Sequence, residues 1–106
     1  TDEITLPTAT AHTLYVDSFA SGDPGQIVPW ETTTEACDDL TSGLAAGGTV
    51  YSPSSTLAEG SVLFWDQNYV YPVNGQNLYA GVGSGRSFFQ FQLGYEGIIK
   101  TAITAC

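Results

Sequence analysis

The chain has 106 residues, enough for one domain with a modest core. Eleven acids face only two cations, Arg86 and Lys100, for a formal net charge of −9, and charged residues make up 12% of the chain, about half the usual share. This balance excludes nucleic-acid binding by phosphate neutralisation, which needs clustered Lys and Arg, and it disfavours anionic membrane surfaces.

The opening Thr1-Asp2-Glu3-Ile4 carries no basic-then-apolar leader, and it fits either removal of an initiator Met or cleavage of a signal. No run approaches the roughly 18 apolar residues of a spanning helix. Thr13 to Phe19 is rich in strand formers and is the one convincing strand of residues 1–35. Ser21-Gly22-Asp23-Pro24-Gly25 reads as a loop, and Pro29 interrupts the stretch after it. Residues 1–35 are therefore expected to form an N-terminal arm or edge extension, and residues 36–106 a compact unit. Thr34 to Leu40 has the makings of a helical turn capped by Thr34, but β-branched neighbours and Gly43 favour a loop or short strand.

Beyond it the pattern is β throughout. Thr49 to Ser52, Val62 to Trp65 and Tyr69 to Tyr71 read as strands, the last ending at Pro72. Asn74-Gly75 predicts a hairpin turn, because both residues tolerate positive φ, with Leu78 to Ala80 returning from it. Gly81 to Gly85 predicts another turn. From Ser87 to Leu93 the alternation places Phe89, Phe91 and Leu93 on one face and Gln90 and Gln92 on the other. Ile98 to Ala105 is the closing strand. The expected fold is all-β: a small antiparallel sandwich or barrel-like domain with an N-terminal arm.

Candidate catalytic groups are sparse, and the chain is expected not to be an enzyme. His12 is the only histidine, so a Ser-His-Asp arrangement would have to use it, yet no sharp nucleophile turn surrounds any serine. Eleven acids offer carboxylate pairs, but no spacing singles one out. Asp38-Asp39 and Asp66-Gln67-Asn68 could ligate calcium, although neither fits a spaced loop motif, and turn-forming acids are the plainer reading. Gly81 to Gly85 has the wrong spacing for a phosphate loop and precedes no helix. No cofactor or metal is expected.

Cys37 and Cys106 are the only cysteines. With one histidine they cannot complete a four-ligand zinc site without carboxylates. Outside a cell they would pair as a disulfide, and otherwise they are two free thiols. Trp30, Trp65, Tyr69, Tyr71, Tyr79, Phe88 and Tyr95 exceed what one face of a small sheet buries, so some should serve interfaces or stack on sugars. Phe88, opposite the apolar face of its strand, and Trp30 are the interface candidates. Arg86 would pair with a carboxylate of a neighbouring copy or within the chain.

From Cys37 to Cys106 the sequence resembles a small cysteine-bracketed β domain of phage virion structural proteins and Bacteroidetes surface proteins. The matching features are Cys37, Thr49-Val50-Tyr51, Leu57-Ala58-Glu59-Gly60-Ser61-Val62-Leu63 with Asp66, Pro72-Val73-Asn74-Gly75, Leu78-Tyr79, and Gly97-Ile98-Ile99 closing at Cys106. Phe64-Trp65 stands where that pattern more commonly has Tyr-Thr, and residues 1–35 lie outside it. The resemblance implies a virion surface component: a capsid decoration (cement) protein or a fibre protein, contacting the major capsid protein or another virion protein and neighbouring copies of itself as a homo-oligomer. It brings no catalytic residues. The alternative expectation is a secreted carbohydrate-binding or effector domain, with a glycan as partner.

Overall fold

A computed structural model describes residues 8–20, 26–84 and 87–106. Among the described residues, seven strands and one helix follow in the order β1 (Thr10–Val16), β2 (Ser18–Ala20), β3 (Gln26–Val28), α1 (Thr33–Ser42), β4 (Ala46–Ser52), β5 (Leu78–Ser84), β6 (Ser87–Leu93) and β7 (Thr104–Ala105). The main sheet is antiparallel in the order β4-β1-β5-β6-β7, and β2 and β3 form a separate hairpin.

Short bridged segments continue that sheet into a ring. Leu93 bridges Ile99, and the Lys100 amide donates to Gln92 O, so the chain after β6 returns along its free edge. Ile99 and Gly97 then engage Ser61 and Leu63 through Ile99 N to Ser61 O and Leu63 N to Gly97 O, both 2.8 Å. Phe64 exchanges both backbone bonds with Tyr51 of β4, at 2.7 and 2.8 Å. The circuit β4, β1, β5, β6, 98–100, 61–64 and back to β4 makes a small barrel, which largely removes the open edges of a single sheet. Its weakest joint is between β1 and β5, where one bridge, Tyr15 to Gly81, joins two seven-residue strands.

Alternation along the strands fills the barrel. Leu14 and Val16 of β1, Val50 of β4, Ala80 of β5, and Phe91 and Leu93 of β6 point inward and are fully buried with Leu63, Val73 and Ile99. The opposite face of β5 and β6 is covered by α1, whose Ala36 and Leu40, one turn apart, pack with Trp30 against Tyr15, Tyr79 and Phe88. Close approach of the helix depends on Gly81, where a Cβ would stand 2.6 Å from Leu40 Cδ1.

Several expectations are corrected by this architecture. The segment read as a loop or short strand is the ten-residue helix α1. Thr32, not Thr34, is its N-cap and accepts from the Glu35 amide at 3.2 Å, while Glu35 Oε2 accepts from the Glu31 amide at 3.3 Å. Tertiary burial of Ala36 and Leu40 outweighs the weak helix propensity of Thr33 and Thr34. The arm is also revised: β1 lies inside the sheet between β4 and β5, and Leu14, Val16, Ile27 and Trp30 are core residues, so residues 10–30 are integral wherever they are described. Residues 1–7 and 21–25 lie outside the described residues.

Val62 to Trp65 contributes only isolated bridges. Tyr69 to Tyr71 is not a strand, and Tyr69 has φ 60°. The turn expected at Asn74-Gly75 falls two residues later, at Gln76-Asn77 with φ 57° and 59°, closed by Leu78 N to Gly75 O at 2.9 Å. Gly75 serves contact instead, because a Cβ there would run into Leu93. Gly81 to Ser84 is strand and not turn, and residue 85 lies outside the described residues.

Candidate functional site at the barrel mouth

Cys37 and Cys106 are joined by a disulfide with Cα atoms 5.4 Å apart. It ties α1 to the chain's last strand, whose Cys106 amide donates to Phe88 O at 2.9 Å. The interface candidates do not meet at a surface. Trp30 is 3% exposed, and its indole Nε1 donates to Asp39 Oδ2 at 2.7 Å. Phe88 is half-buried under α1, edge-to-face with Tyr15 at 6.3 Å between ring centroids. Both belong to the packing between helix and sheet, which corrects their reading as free anchors. Phe88 shares the outer face of β6 with Gln90 and Gln92, and it is covered because α1 packs on that face. Arg86 lies outside the described residues.

The carboxylates considered as cation ligands have other partners. Asp39 holds Trp30. Asp66 accepts from the backbone amides of Tyr71 at 2.9 Å, Val70 at 3.0 Å and Asn68 at 3.1 Å. These amides, that of Tyr71 foremost, hold its carboxyl below the ordinary value, against a smaller opposing effect of desolvation. Among the described residues no group of three or more His, Cys, Asp or Glu side chains is gathered, and no helix is long and apolar enough to cross a membrane.

The feature with the geometry of a binding site is the barrel's open end. A cavity of about 500 Å³ is lined there by Val82 of β5, Phe89 of β6, and Leu57 and Ile103 from the flanking loops. Leu57, Val82 and Ile103 pack against the buried core and extend it outward. The rim is polar: His12 and Thr13 of β1 on one side, Ser55 and Thr56 on another. His12 Nε2 is 3.0 Å from Ser54 O, and fully buried Ser52 Oγ accepts from the Ser54 amide at 3.1 Å. The histidine thus holds the rim loop in place.

Backbone edges face the same opening. Tyr51 directs its amide and carbonyl away from β1 to Phe64, so the alternation of an antiparallel ladder turns those of Ala11, Thr13 and Tyr15 towards β5. On β5, Tyr79 pairs with Trp30 and Gly81 with Tyr15, which leaves Gly83 facing Thr13. Among the described residues no ladder bridge continues past Tyr15 and Gly81 towards the mouth. The site therefore combines an apolar cup with two unladdered strand edges. Reading Gly81 to Gly85 as a turn hid it, because Val82 then had no face. Its visible signals were the apolar Leu57, Val82 and Ile103, each flanked by small or polar residues.

No protein-family model, curated protein or solved structure matches the chain.

Proposed function

We propose that the chain is a non-catalytic attachment module on the surface of a bacteriophage particle, a capsid decoration or fibre protein bound in many copies. The observation that carries the binding role is the barrel mouth, where an apolar cup adjoins a closed core and, among the described residues, no ladder joins β1 and β5 beyond Tyr15 and Gly81. An extended polypeptide satisfies both at once, its backbone completing the ladder and its alternate side chains filling the cup. The virion setting is supported by the resemblance of the Cys37–Cys106 stretch and by a surface with few charges. A net charge of −9 keeps free copies apart before assembly. Partners are the major capsid protein or another virion protein, and neighbouring copies.

A second reading, a secreted glycan-binding domain, is favoured by Tyr71 and Tyr95, which are 50% and 60% exposed. Quantitative mass spectrometry of gradient-purified particles and culture supernatant separates the two. The virion reading expects a fixed, high ratio of this chain to capsid subunits. Recovery from the supernatant alone, with glycan-column retention lost in Tyr71→Ala and Tyr95→Ala, would overturn it.

A further inference from the structure

We propose that the cleft beside the turn at residues 94–97 is a subsite for one neutral pyranose ring of a glycan, stacked on the ring of Tyr95. The inference takes its ligand class from the glycan-binding reading, and it rests on neither the barrel mouth nor the virion setting.

The turn is held from both ends. Gly97 N donates to Gly94 O at 3.2 Å and closes it, with Gly97 at φ 80°. Gly94 N donates to Ile98 O and Gly94 O accepts from Gly75 N, both at 2.9 Å, while Gly97 O accepts from Leu63 N at 2.8 Å. Tyr95 and Glu96, the two central residues, therefore stand on a fixed backbone, and a ligand has little main-chain freedom to freeze there. Gly94 matters for the space it leaves: a Cβ would stand 3.0 Å from Lys100 Cε, so the lysine stem lies across the glycine. Gly94, Tyr95, Glu96, Ile98 and Lys100 line a cavity of about 240 Å³.

The lining fits a sugar ring better than other small ligands. Tyr95 and Ile98 are both exposed, and together they offer an apolar surface to the C–H face of a pyranose. Among the described residues, the Tyr95 hydroxyl, the Glu96 carboxylate and the Lys100 ammonium take no hydrogen bond or ion pair. The carboxylate accepts from sugar hydroxyls, and the ammonium donates to hydroxyl or ring oxygens. An aliphatic side chain of a peptide would leave both groups without partners. A simple anion or cation would meet one group of its own sign and make no use of the aromatic ring. Glu96, in a chain of net charge −9, also disfavours an acidic sugar, so the ring is a neutral one. A single ring in so small a cleft binds weakly, on the order of millimolar, and copies displayed side by side would add avidity to it.

Amide NMR spectra of the whole chain, titrated with the methyl glycosides of glucose, galactose, mannose and N-acetylglucosamine, test the assignment. At least one glycoside should shift the amides of Tyr95, Glu96, Ile98 and Lys100 saturably and leave those of α1 in place. Tyr95→Ala should weaken its binding about tenfold, and Tyr95→Phe should keep most of it, because the stacking face survives. Glu96→Ala and Lys100→Ala should each weaken it about threefold or more. Thermal unfolding checks that each variant folds. Shifts at these amides that Tyr95→Ala leaves unchanged would overturn the proposal. Shifts centred on residues 66–71 would overturn this placement and leave the glycan-binding reading standing through Tyr71, which does not line the cleft. No shift anywhere with any of the four glycosides would overturn the placement and that reading together.

Discussion

The indole of Trp30 and the carboxylate of Asp39 are joined by a 2.7 Å hydrogen bond that fastens α1 to the segment entering it. Trp30 also exchanges both backbone bonds with Tyr79 of β5, at 2.9 Å each. One residue thereby links helix, sheet and connecting loop. Asp39→Ala should lower stability by about 1–3 kcal/mol, because it leaves a buried N–H without its acceptor. Trp30→Ala should cost about 3–5 kcal/mol, the range for deleting a large core side chain. Urea melts of both variants check this. A Trp30→Ala chain as stable as wild type would return Trp30 to the role of a surface anchor.

The β character was legible because it is written locally. Phe89, Phe91 and Leu93 do share the inward face, and Asn74 does begin the turn region, accepting from the Gln76 amide at 3.0 Å. The helix was not legible, because Thr33 and Thr34 argue against it and the burial of Ala36 and Leu40 exists only once β5 and β6 are in place. The role of β1 was hidden for a similar reason. Its partners β4 and β5 lie far along the chain, and no local pattern distinguishes an arm's strand from an interior one. The mouth is a property of ring closure by isolated bridges, which leave almost no periodic signal.

The Cys37–Cys106 bond closes a loop with a sequence separation of 69. In the chain-entropy account a loop of that length contributes roughly 4 kcal/mol. Reduction should therefore lower the denaturation midpoint sharply, and Cys37→Ser/Cys106→Ser should reproduce the loss without reductant. Hydrogen exchange should locate the loosening in α1 and residues 104–106 first, since the bond ties those two elements together. Equal stability with and without reductant would show that helix packing alone holds them.

Acid should act on the loop after Phe64 before it acts on the barrel. The Asp66 carboxyl is held below its ordinary value by the amides of Tyr71, Val70 and Asn68. The folded state therefore releases this proton more readily than the unfolded chain does. The resulting stabilisation is present above the unfolded value and is lost as pH falls through the lower, folded one. Protection of the Val70 and Tyr71 amides, relative to their intrinsic exchange at each pH, should fall over that window, and Asp66→Asn should show the low protection already at neutral pH. No change at those two amides would mean that the loop is held by its aromatic packing of Tyr69 on Phe64, 5.2 Å between centroids.

Turn chemistry at Gln76-Asn77 gives the last prediction. Both residues have positive φ, as the two central positions of a type I′ turn require. Gln76 is used elsewhere, its Nε2 donating to Ile27 O at 3.1 Å across to β3. Asn77 is different: its backbone oxygen accepts from Gln92 Nε2 at 2.6 Å, while its side-chain Oδ1 is buried without a partner among the described residues. Asn77→Gly keeps the backbone contact, removes the unpartnered oxygen and relieves the left-handed conformation. It should raise stability by about 0.5–1 kcal/mol, even after the greater freedom of glycine in the unfolded chain. Asn77→Val should lower stability by about 1–2 kcal/mol, because a β-branched residue resists positive φ. Opposite-signed shifts in the thermal midpoint of the two variants would support this assignment of the turn. A destabilised Asn77→Gly chain would mean that the Asn77 side chain holds the turn through a contact of its own.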